Sequence, residues 1–369
     1  MAAVNKAHDA GQACLAFSRD GSILYTGGSD LLARVWQANK GPDFEPSIAM
    51  EAEGPITCLA ASDDSWFAGG TDSNLRTYVK GEHDMSGIIT ANPGGDSIRS
   101  VAVDLHSKRI AVTSDDKAVK VIDLKDTKRI VLLEGHSRGV RRAAWHPSGI
   151  LLATCGCDGK IIIWDVLGTE PKLEKTLEGI IPTVIDTEAP EYCHDCSVSW
   201  HPSGQYFVVA TRTHEIISVS KSTWSKSATY TSNDLSGAIT ALCLSPNGAY
   251  LASASKSGVF VWSTQDRKVK YRFGESQAAA VTQIAFSPSS NLLAWTDMDG
   301  SLTRWKDPIP KDAPSPCEVK KVEQTVHSKA RAALFGEDMD DMVDDAAGDN
   351  EKEPDVVLDN DMDMDDDFV

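Results

Sequence analysis

Short stretches in which apolar and polar residues alternate recur along the whole chain. An apolar stretch such as ILYTGG, ILLATCG or YLASAS is followed each time by an alternating one such as LLARVW or KIIIW. A period of two residues, with no sustained period of 3.6, favours β-strands over helices. The pattern predicts an all-β protein built from short strands.

A tryptophan, or a residue in its place, recurs about every 42 residues, and a turn residue stands six positions before it. The pairs are Asp30 and Trp36, Asp72 and Tyr78, Asp116 and Ile122, Asp158 and Trp164, Lys256 and Trp262, and Asp299 and Trp305. The 98 residues between Trp164 and Trp262 accommodate one degenerate repeat, with its anchor near Val219 or Ser220. The sequence therefore predicts seven repeats.

Each repeat also has a turn-forming segment ahead of its second predicted strand. These segments are SRDG (18–21), SDDS (62–65), DLHS (104–107), HPSG (146–149), HPSG (201–204), SPNG (245–248) and SPSS (287–290). Pro, Asp, Asn, Ser and Gly favour tight turns between short strands. With the strand pattern, they predict four strands in each repeat.

Two repeats share a set of polar residues at identical spacing. These sets are His8, Thr26, Asp30 and Trp36, and His136, Thr154, Asp158 and Trp164. Within one repeat, such side chains can form a chain of hydrogen bonds from the aspartate through the histidine and threonine to the indole N–H. We expect their role to be structural.

Gly135-His136 and Trp164-Asp165, at this period, resemble a WD-repeat β-propeller with seven blades. The resemblance assigns residues 1–308 to the propeller, 309–335 to a linker with a short helix, and 336–369 to an acidic segment. It also implies that residues 2–6 (AAVNK) supply the outer strand of the last blade, because KDPIPKDAP follows Trp305 directly. Most repeats lack the polar set, so we expect packing to stabilise them.

The formal charge of −18 is concentrated at one end of the chain. Residues 336–369 contain 16 Asp or Glu and one Lys, which leaves only −3 for residues 1–335. This acidic tail has almost no aromatic or β-branched residues, and we expect it to be disordered because it cannot bury enough surface. Since the acidic run stops without a second folded unit, we expect the chain to be part of a longer protein.

Several longer segments carry a closer resemblance. They are SDDKAVKVIDL (114–124), EGHSRGVRRAAWHPSGILLATCGCDGKIIIWDV (134–166), SWHPSG (199–204), STW (222–224), SPNGAYLASASKSGVFVW (245–262) and ARAALFGEDMDD (330–341). Their order is similar to that in the N-terminal domain of the acidic nucleoplasmic DNA-binding or chromosome transmission fidelity family, whose fungal members include the SepB proteins.

The family resemblance implies a replisome hub in the nucleus. Its members trimerise through later parts of the chain and tether the replicative helicase to DNA polymerase alpha-primase, in support of sister-chromatid cohesion. The second propeller and C-terminal helices of the family are absent here, so we expect this chain to be monomeric. An HMG box in some animal members explains the DNA-binding name and is also absent, so we expect DNA contact to be non-specific at most.

Candidate chemistry is sparse. Cys193-His194-Asp195-Cys196 is spaced like half of a zinc site, but no second pair of ligands lies near it in the sequence. No phosphate-binding or dinucleotide-binding glycine motif opens a helix. Apolar runs fall far short of the roughly 20 residues that a membrane span needs. We therefore predict no catalytic residues, cofactor, metal or membrane association.

Arg138, Arg141 and Arg142 follow the Gly-His turn of the fourth repeat and are our candidate partner-binding residues, together with Phe368 in the acidic tail. The arginines suit an acidic segment of a replication-fork protein or a nucleic-acid backbone, and Asp365-Asp366-Asp367-Phe368 suits a basic, notched partner such as a histone dimer. A solvated rim and a plain spacer remain open alternatives. So does a ubiquitin-ligase substrate receptor, although Trp164-Asp165 is not followed by the expected arginine motif.

Overall fold

The computed structural model describes residues 2–40, 45–82, 85–90, 95–104, 106, 108–168, 170–181, 196–210, 215–255, 257–273 and 279–317. The chain divides into two units, Met1–Val322 and Glu323–Val369, and all described residues lie in the first. The acidic tail, including Phe368, is therefore outside the described residues. No helix in the described part of the chain is long and apolar enough to cross a membrane.

Short strands joined by tight turns make up the described part of the chain. In chain order they are β1 (Ala2–Lys6), β2 (Ala13–Phe17), β3 (Ile23–Gly28), β4 (Leu32–Gln37), β5 (Ser47–Glu51), β6 (Ile56–Ala61), β7 (Ser65–Gly70), β8 (Asn74–Val79), β9 (Met85–Thr90), β10 (Ile98–Val103), β11 (Arg109–Ser114), β12 (Val119–Asp123), β13 (Ile130–Leu133), β14 (Val140–Trp145), β15 (Leu151–Gly156), β16 (Ile161–Asp165), β17 (Lys172–Leu177), β18 (Val198–Trp200), β19 (Tyr206–Ala210), β20 (Ile216–Ser220), β21 (Lys226–Tyr230), β22 (Ile239–Leu244), β23 (Tyr250–Ser255), β24 (Gly258–Ser263), β25 (Val269–Phe273), β26 (Val281–Phe286), β27 (Leu292–Asp297) and β28 (Ser301–Lys306).

The strands form seven antiparallel sheets of four. Blades 1 to 6 are β2–β5, β6–β9, β10–β13, β14–β17, β18–β21 and β22–β25, and blade 7 is β26, β27, β28 and β1. The first strand of each blade lies innermost and contacts its counterpart in the next blade, from β2 around to β26 and back to β2. The prediction of a seven-bladed, all-β propeller is confirmed.

The first and last strands of the propeller pair with each other. β1 runs antiparallel to β28, with Ala2 opposite Trp305 and Lys6 opposite Ser301. Residues 2–6 thus form the outer strand of blade 7, as the resemblance to WD-repeat proteins implies. This pairing closes the ring.

Apolar side chains fill the spaces between neighbouring blades. Trp66 of blade 2 stacks between Tyr25 of blade 1 and Tyr78 of its own blade, with ring centroids 4.8 and 3.9 Å apart. Tyr78 and Ile122, which replace tryptophan in the repeat, are fully buried. Because each such side chain stabilises the fold by about 1.5–3 kcal/mol through burial, blades that lack the polar set are held by packing.

We call the side with the turns between second and third strands the upper face, and the opposite side the lower face. On the lower face, Nε2 of His146 donates to the carbonyl oxygen of Gly204 in the next blade at 3.0 Å, and Nε2 of His201 bonds Gly248 in the same way. Gly204 has a φ of 68°, and a Cβ there would lie 2.5 Å from the imidazole of His146. The HPSG turns therefore link blades as well as strands.

The chain continues beneath the propeller after β28. The side-chain amide of Asn291 donates to the carbonyl oxygen of Ile309 at 2.6 Å. The backbone N–H of Asn247 donates to the carbonyl oxygen of Pro316 at 3.0 Å. Ile309 is buried in the apolar cluster between blades 6 and 7. The first nine residues of the expected linker therefore pack on the lower face without forming a helix, and the rest of that linker lies outside the described residues.

Candidate functional site

The four polar residues of blade 1 form a continuous chain of hydrogen bonds. Nδ1 of His8 lies 2.8 Å from a carboxylate oxygen of Asp30, and Nε2 lies 2.9 Å from Oγ1 of Thr26. The same Oγ1 accepts from the indole N–H of Trp36 at 2.8 Å. A neutral imidazole protonated at Nδ1 donates to the aspartate and accepts from the threonine hydroxyl. The guanidinium of Arg34 also lies 2.7 Å from Nδ1 and donates to the other oxygen of Asp30 at 2.7 Å.

Blade 4 repeats this arrangement. His136 bridges Asp158 at 3.0 Å and Thr154 at 2.9 Å, and the indole N–H of Trp164 donates to Thr154 at 3.0 Å. Burial alone would raise the pKa of Asp158, but hydrogen bonds from His136 and from the N–H of Ser137 hold this pKa below its usual value. The carboxylate is therefore charged at neutral pH and tied to its own blade.

In both hydrogen-bonded sets, a hydroxyl, an imidazole and a carboxylate follow one another in the order found in a catalytic triad of nucleophile, base and acid. The hydroxyls of Thr26 and Thr154 are fully buried, however, and each already accepts a tryptophan N–H. A substrate could reach neither oxygen without displacing the packed indole ring. The geometry suits structural support of the blade.

A second polar device supports the first three blades and is not part of our sequence predictions. The turn aspartate pairs with a basic residue four positions later, as in Asp30 with Arg34 at 2.7 Å and Asp116 with Lys120 at 2.5 Å. Asp72 and Arg76 make the same pair, with the arginine almost fully buried. In blades 2 and 3, which lack the histidine, the basic side chain takes over as the partner of the aspartate. The signal is visible in the sequence as DLLAR, DSNLR and DKAVK.

The three candidate partner-binding arginines do not form one patch. Arg141 lies where the register of β14 shifts, and its side chain is only 10% exposed. Its guanidinium donates to Asp115 at 2.9 Å, and Arg99 donates to the other oxygen of that carboxylate at 2.8 Å. Because Arg141 joins blades 3 and 4, it is not available to a partner. Arg138 is exposed on the upper face.

Arg142 is half-buried in β14, the innermost strand of blade 4. Burial raises the pKa of Cys14 well above its usual value and that of Cys58 to about 11, and the positive charge of Arg142 opposes both shifts. These thiols belong to the innermost strands of blades 1 and 2, whereas Arg142 belongs to blade 4. All three residues therefore lie on strands that line the centre of the ring.

Three of the four residues of the cysteine motif, 193–195, lie outside the described part of the chain. Its last member, Cys196, is buried in the apolar cluster between blades 4 and 5. A hydrogen bond with Cys155, together with burial, raises the pKa of Cys196 well above its usual value. Within the described ranges, no group of three or more His, Cys, Asp or Glu is placed to hold a metal.

Comparisons with known proteins agree on the kind of domain. A family model described as the WDHD1 first WD40 domain matches residues 5–304. Minichromosome loss protein 1 of Schizosaccharomyces pombe is 28% identical over 90% of this chain and 40% of that protein. WD repeat and HMG-box DNA-binding protein 1 is 26% identical in Xenopus laevis, over 84% of this chain, and 24% identical in Homo sapiens, over 90%.

The alignments cover 27% of the Xenopus protein and 28% of the human one, so the chain spans less than half the length of these relatives. Among solved structures, the WD40 β-propeller domain of Doa1 superimposes with a TM-score of 0.68. It is 17% identical and covers 82% of this chain and 94% of its own. At this identity the likeness concerns the fold alone.

Proposed function

The chain belongs to the WDHD1 first WD40 domain family, and we propose that it is a non-enzymatic protein-interaction module of a nuclear replication scaffold. The observation that carries this proposal is the match of the family model across the whole ring, residues 5–304. The burial of both histidine chains supports a role in binding rather than catalysis, because their hydroxyls are enclosed by packed side chains.

At a finer level, we propose that the whole protein links the replicative helicase to DNA polymerase alpha-primase and supports sister-chromatid cohesion. The family resemblance is the basis of this proposal, and one relative is named for the loss of minichromosomes. Since the chain spans less than half the length of its relatives, this activity is assigned to the full protein, with the propeller as one docking module.

The partner-binding surface of this module is the upper face beside blade 4. Arg138 is exposed there, and Arg142, half-buried in the innermost strand of the same blade, adds a second positive charge. Two cations without a groove-reading motif suit an acidic segment of a replication-fork protein, or at most the backbone of DNA without sequence preference. Arg141 has no part in this surface because it is bound to Asp115.

Proximity labelling tests the proposal in cells. The full-length protein carrying a promiscuous biotin ligase should label helicase and polymerase subunits during DNA synthesis. Replacing the propeller of this chain by an unrelated propeller within the full-length protein should reduce that labelling. Arg138→Glu/Arg142→Glu should weaken the contacts that use the upper face. Lys128→Glu/Arg129→Glu, an equal change of charge at the exposed loop before β13, is the matched control. Absence of fork proteins among the labelled set would contradict the proposal.

A second candidate function follows from the acidic tail, which lies outside the described residues. Asp365-Asp366-Asp367-Phe368 combines three charges with the one aromatic ring of residues 336–369. We propose that it contacts histone dimers, with charge steering the encounter and the ring anchoring it. In calorimetry, Phe368→Ala should weaken binding about tenfold at unchanged net charge. Equal affinities of the parent and the Phe368→Ala variant would show that the tail acts only as a diffuse polyanion.

A further inference from the structure

The outer strand of blade 6 carries an unusual concentration of positive charge. Residues 267–273 read RKVKYRF, with four cations and no acid. Within β25 (Val269–Phe273), Lys270 and Arg272 are exposed and alternate with half-buried Val269, Tyr271 and Phe273. The strand therefore presents cations to solvent along an edge that is otherwise anchored by its apolar residues.

The two sides of this edge differ in chemistry. Phe273 packs against Trp295 and Trp305 on the side of blade 7, with ring centroids 4.9 and 5.5 Å away. On the other side, the guanidinium of Arg272 lies over the ring of Phe260 at 5.3 Å and donates to the carbonyl oxygen of Ser257 at 3.2 Å. The apolar and basic sides are fixed in opposite directions by these contacts.

The ion pair between Asp266 and Lys270 leaves the cations of this edge accessible to solvent. Asp266 lies 2.5 Å from Nζ of Lys270, but both side chains are about 40% exposed, at 40% and 39%. A solvent-exposed pair of this kind contributes little stability and exchanges readily for another carboxylate. Lys268 and Arg267 are exposed beside it.

The other six outer strands lack this character. β5 (SIAME), β9 (MSGIIT) and β13 (IVLL) contain no cation, β1 (AAVNK) and β21 (KSATY) contain one, and β17 (KLEKTL) mixes two lysines with a glutamate. β25 contains two cations and no acid. In the sheet of blade 6 it is also an edge strand, paired on one side with β24.

We propose that β25 is a docking edge for an extended acidic peptide of a partner protein, in which Asp or Glu alternates with apolar residues. Such a peptide adds a fifth strand to blade 6 through backbone hydrogen bonds. Its alternation places the acids beside Lys270 and Arg272 and the apolar side chains beside Tyr271 and Phe273, because successive side chains of a strand point to opposite faces. This surface is separate from the upper face and independent of the proposed function.

The experiment uses the full chain and a synthetic peptide with the sequence DLDMDMDFDND, in which every second residue is Asp and four of the five residues between them are apolar. A control peptide of the same composition, with its acids grouped as DDDDDDLNMMF, carries equal charge without the alternation. Calorimetry should show that the alternating peptide binds about tenfold more tightly than the grouped one. Hydrogen exchange should show slower exchange of the β25 amides in its presence, since strand addition occupies them.

Substitutions locate the site. Lys270→Glu/Arg272→Glu should weaken binding of the alternating peptide about tenfold, since it reverses two exposed charge pairs. Lys128→Glu/Arg129→Glu, which makes the same change of net charge at an exposed loop with no assigned role, should leave it unaltered. Equal binding of both peptides, unchanged exchange in β25, or an equal or larger loss in the Lys128/Arg129 variant would each overturn the proposal. A circular dichroism spectrum identical to that of the parent establishes that the variant is folded.

Discussion

Arg304 in β28 donates to the side-chain oxygen of Asn5 in β1 at 2.9 Å, although 299 positions separate the two residues in the sequence. The same guanidinium donates to the carbonyl oxygens of Gln37 and Lys40 in blade 1 at 3.4 and 3.1 Å. It also lies 5.9 Å from the ring of Trp36. One buried cation therefore joins the first strand, the last blade and the first blade.

Arg304→Met should lower the free energy of unfolding by about 1–3 kcal/mol, because it leaves buried acceptors without a donor. Lys306→Met is the control, since Lys306 is exposed two residues later and bonds only the carbonyl oxygen of Asn39 among described residues. Urea denaturation of both variants measures the difference. Equal midpoints would show that packing alone closes the ring.

Asp158→Ala should cost about 1–3 kcal/mol of stability, because it removes the acceptor for His136 and for the N–H of Ser137. Asp234→Ala, at an exposed turn, should change stability by less than about 0.5 kcal/mol. Thermal unfolding followed by circular dichroism compares the two. Identical melting temperatures would remove the structural role assigned to Asp158. Asp338→Ala in the acidic tail is a second control.

Reversing the charge of Arg141 should lower the stability of the fold, whereas reversing the charge of Arg138 should not. Arg141→Glu places a carboxylate beside Asp115 and removes the bond between blades 3 and 4. We expect it to destabilise the protein by more than about 1 kcal/mol, and Arg138→Glu by less than about 0.5 kcal/mol. Differential scanning calorimetry measures both, and equal unfolding temperatures would argue against a structural role for Arg141.

Stability should fall as the pH drops below about 6.5. Burial holds the pKa of both His8 and His201 below the usual value of 6.5, so the unfolded chain takes up these protons first. The free energy of unfolding is therefore greatest above that pH and declines below it. The pKa values of Asp30 and Asp158 are lowered from 3.8. Protonation of these two aspartates therefore lowers the free energy of unfolding further only in stronger acid.

His201→Gln isolates one of these groups, since glutamine does not titrate. Its stability should change less between pH 7.5 and pH 5.5 than that of the parent, in urea titrations at each pH. A pH profile as steep as that of the parent would exclude His201 as a source of the dependence.

The chain should be a monomer of 39.7 kDa in solution. The family resemblance assigns trimer contacts to later parts of the family's proteins, and this chain spans less than half the length of the relatives that it matches. Light scattering at micromolar concentration measures the mass. A trimeric mass would contradict the assignment.

The ring could be predicted from the sequence because turn residues mark its period in every repeat and an aromatic anchor marks it in five of the seven. Seven repeats and both hydrogen-bonded sets around His8 and His136 are visible in the spacing of single residues, whereas the closure by residues 2–6 is implied by the resemblance to WD-repeat proteins. These features depend on local turn chemistry and on repetition, which a sequence displays directly.

The direction of Arg141 could not be read from alternation. The register shifts at this point of the first strand in five blades, for example between Val140 and Arg142 and between Ile98 and Ser100. Such a bulge interrupts the period of two. The hydrogen bonds from His146 and His201 to neighbouring blades could not be predicted from the sequence either, because residues about fifty positions apart meet only once the ring forms.

The pairing of β1 with β28 also sets the order of events during synthesis. Residues 2–6 leave the ribosome before the other strands of the propeller, but their partner strand is complete only when residue 306 has been added. At the usual rate of about 5 to 20 residues per second, the first strand waits roughly 15 to 60 s as an unpaired segment. Arg304 arrives just before the end of that interval, so the cation that joins the ring is also among its last parts to be made. Residues 2–6 of this chain therefore pair only after the other strands of all seven blades have been made.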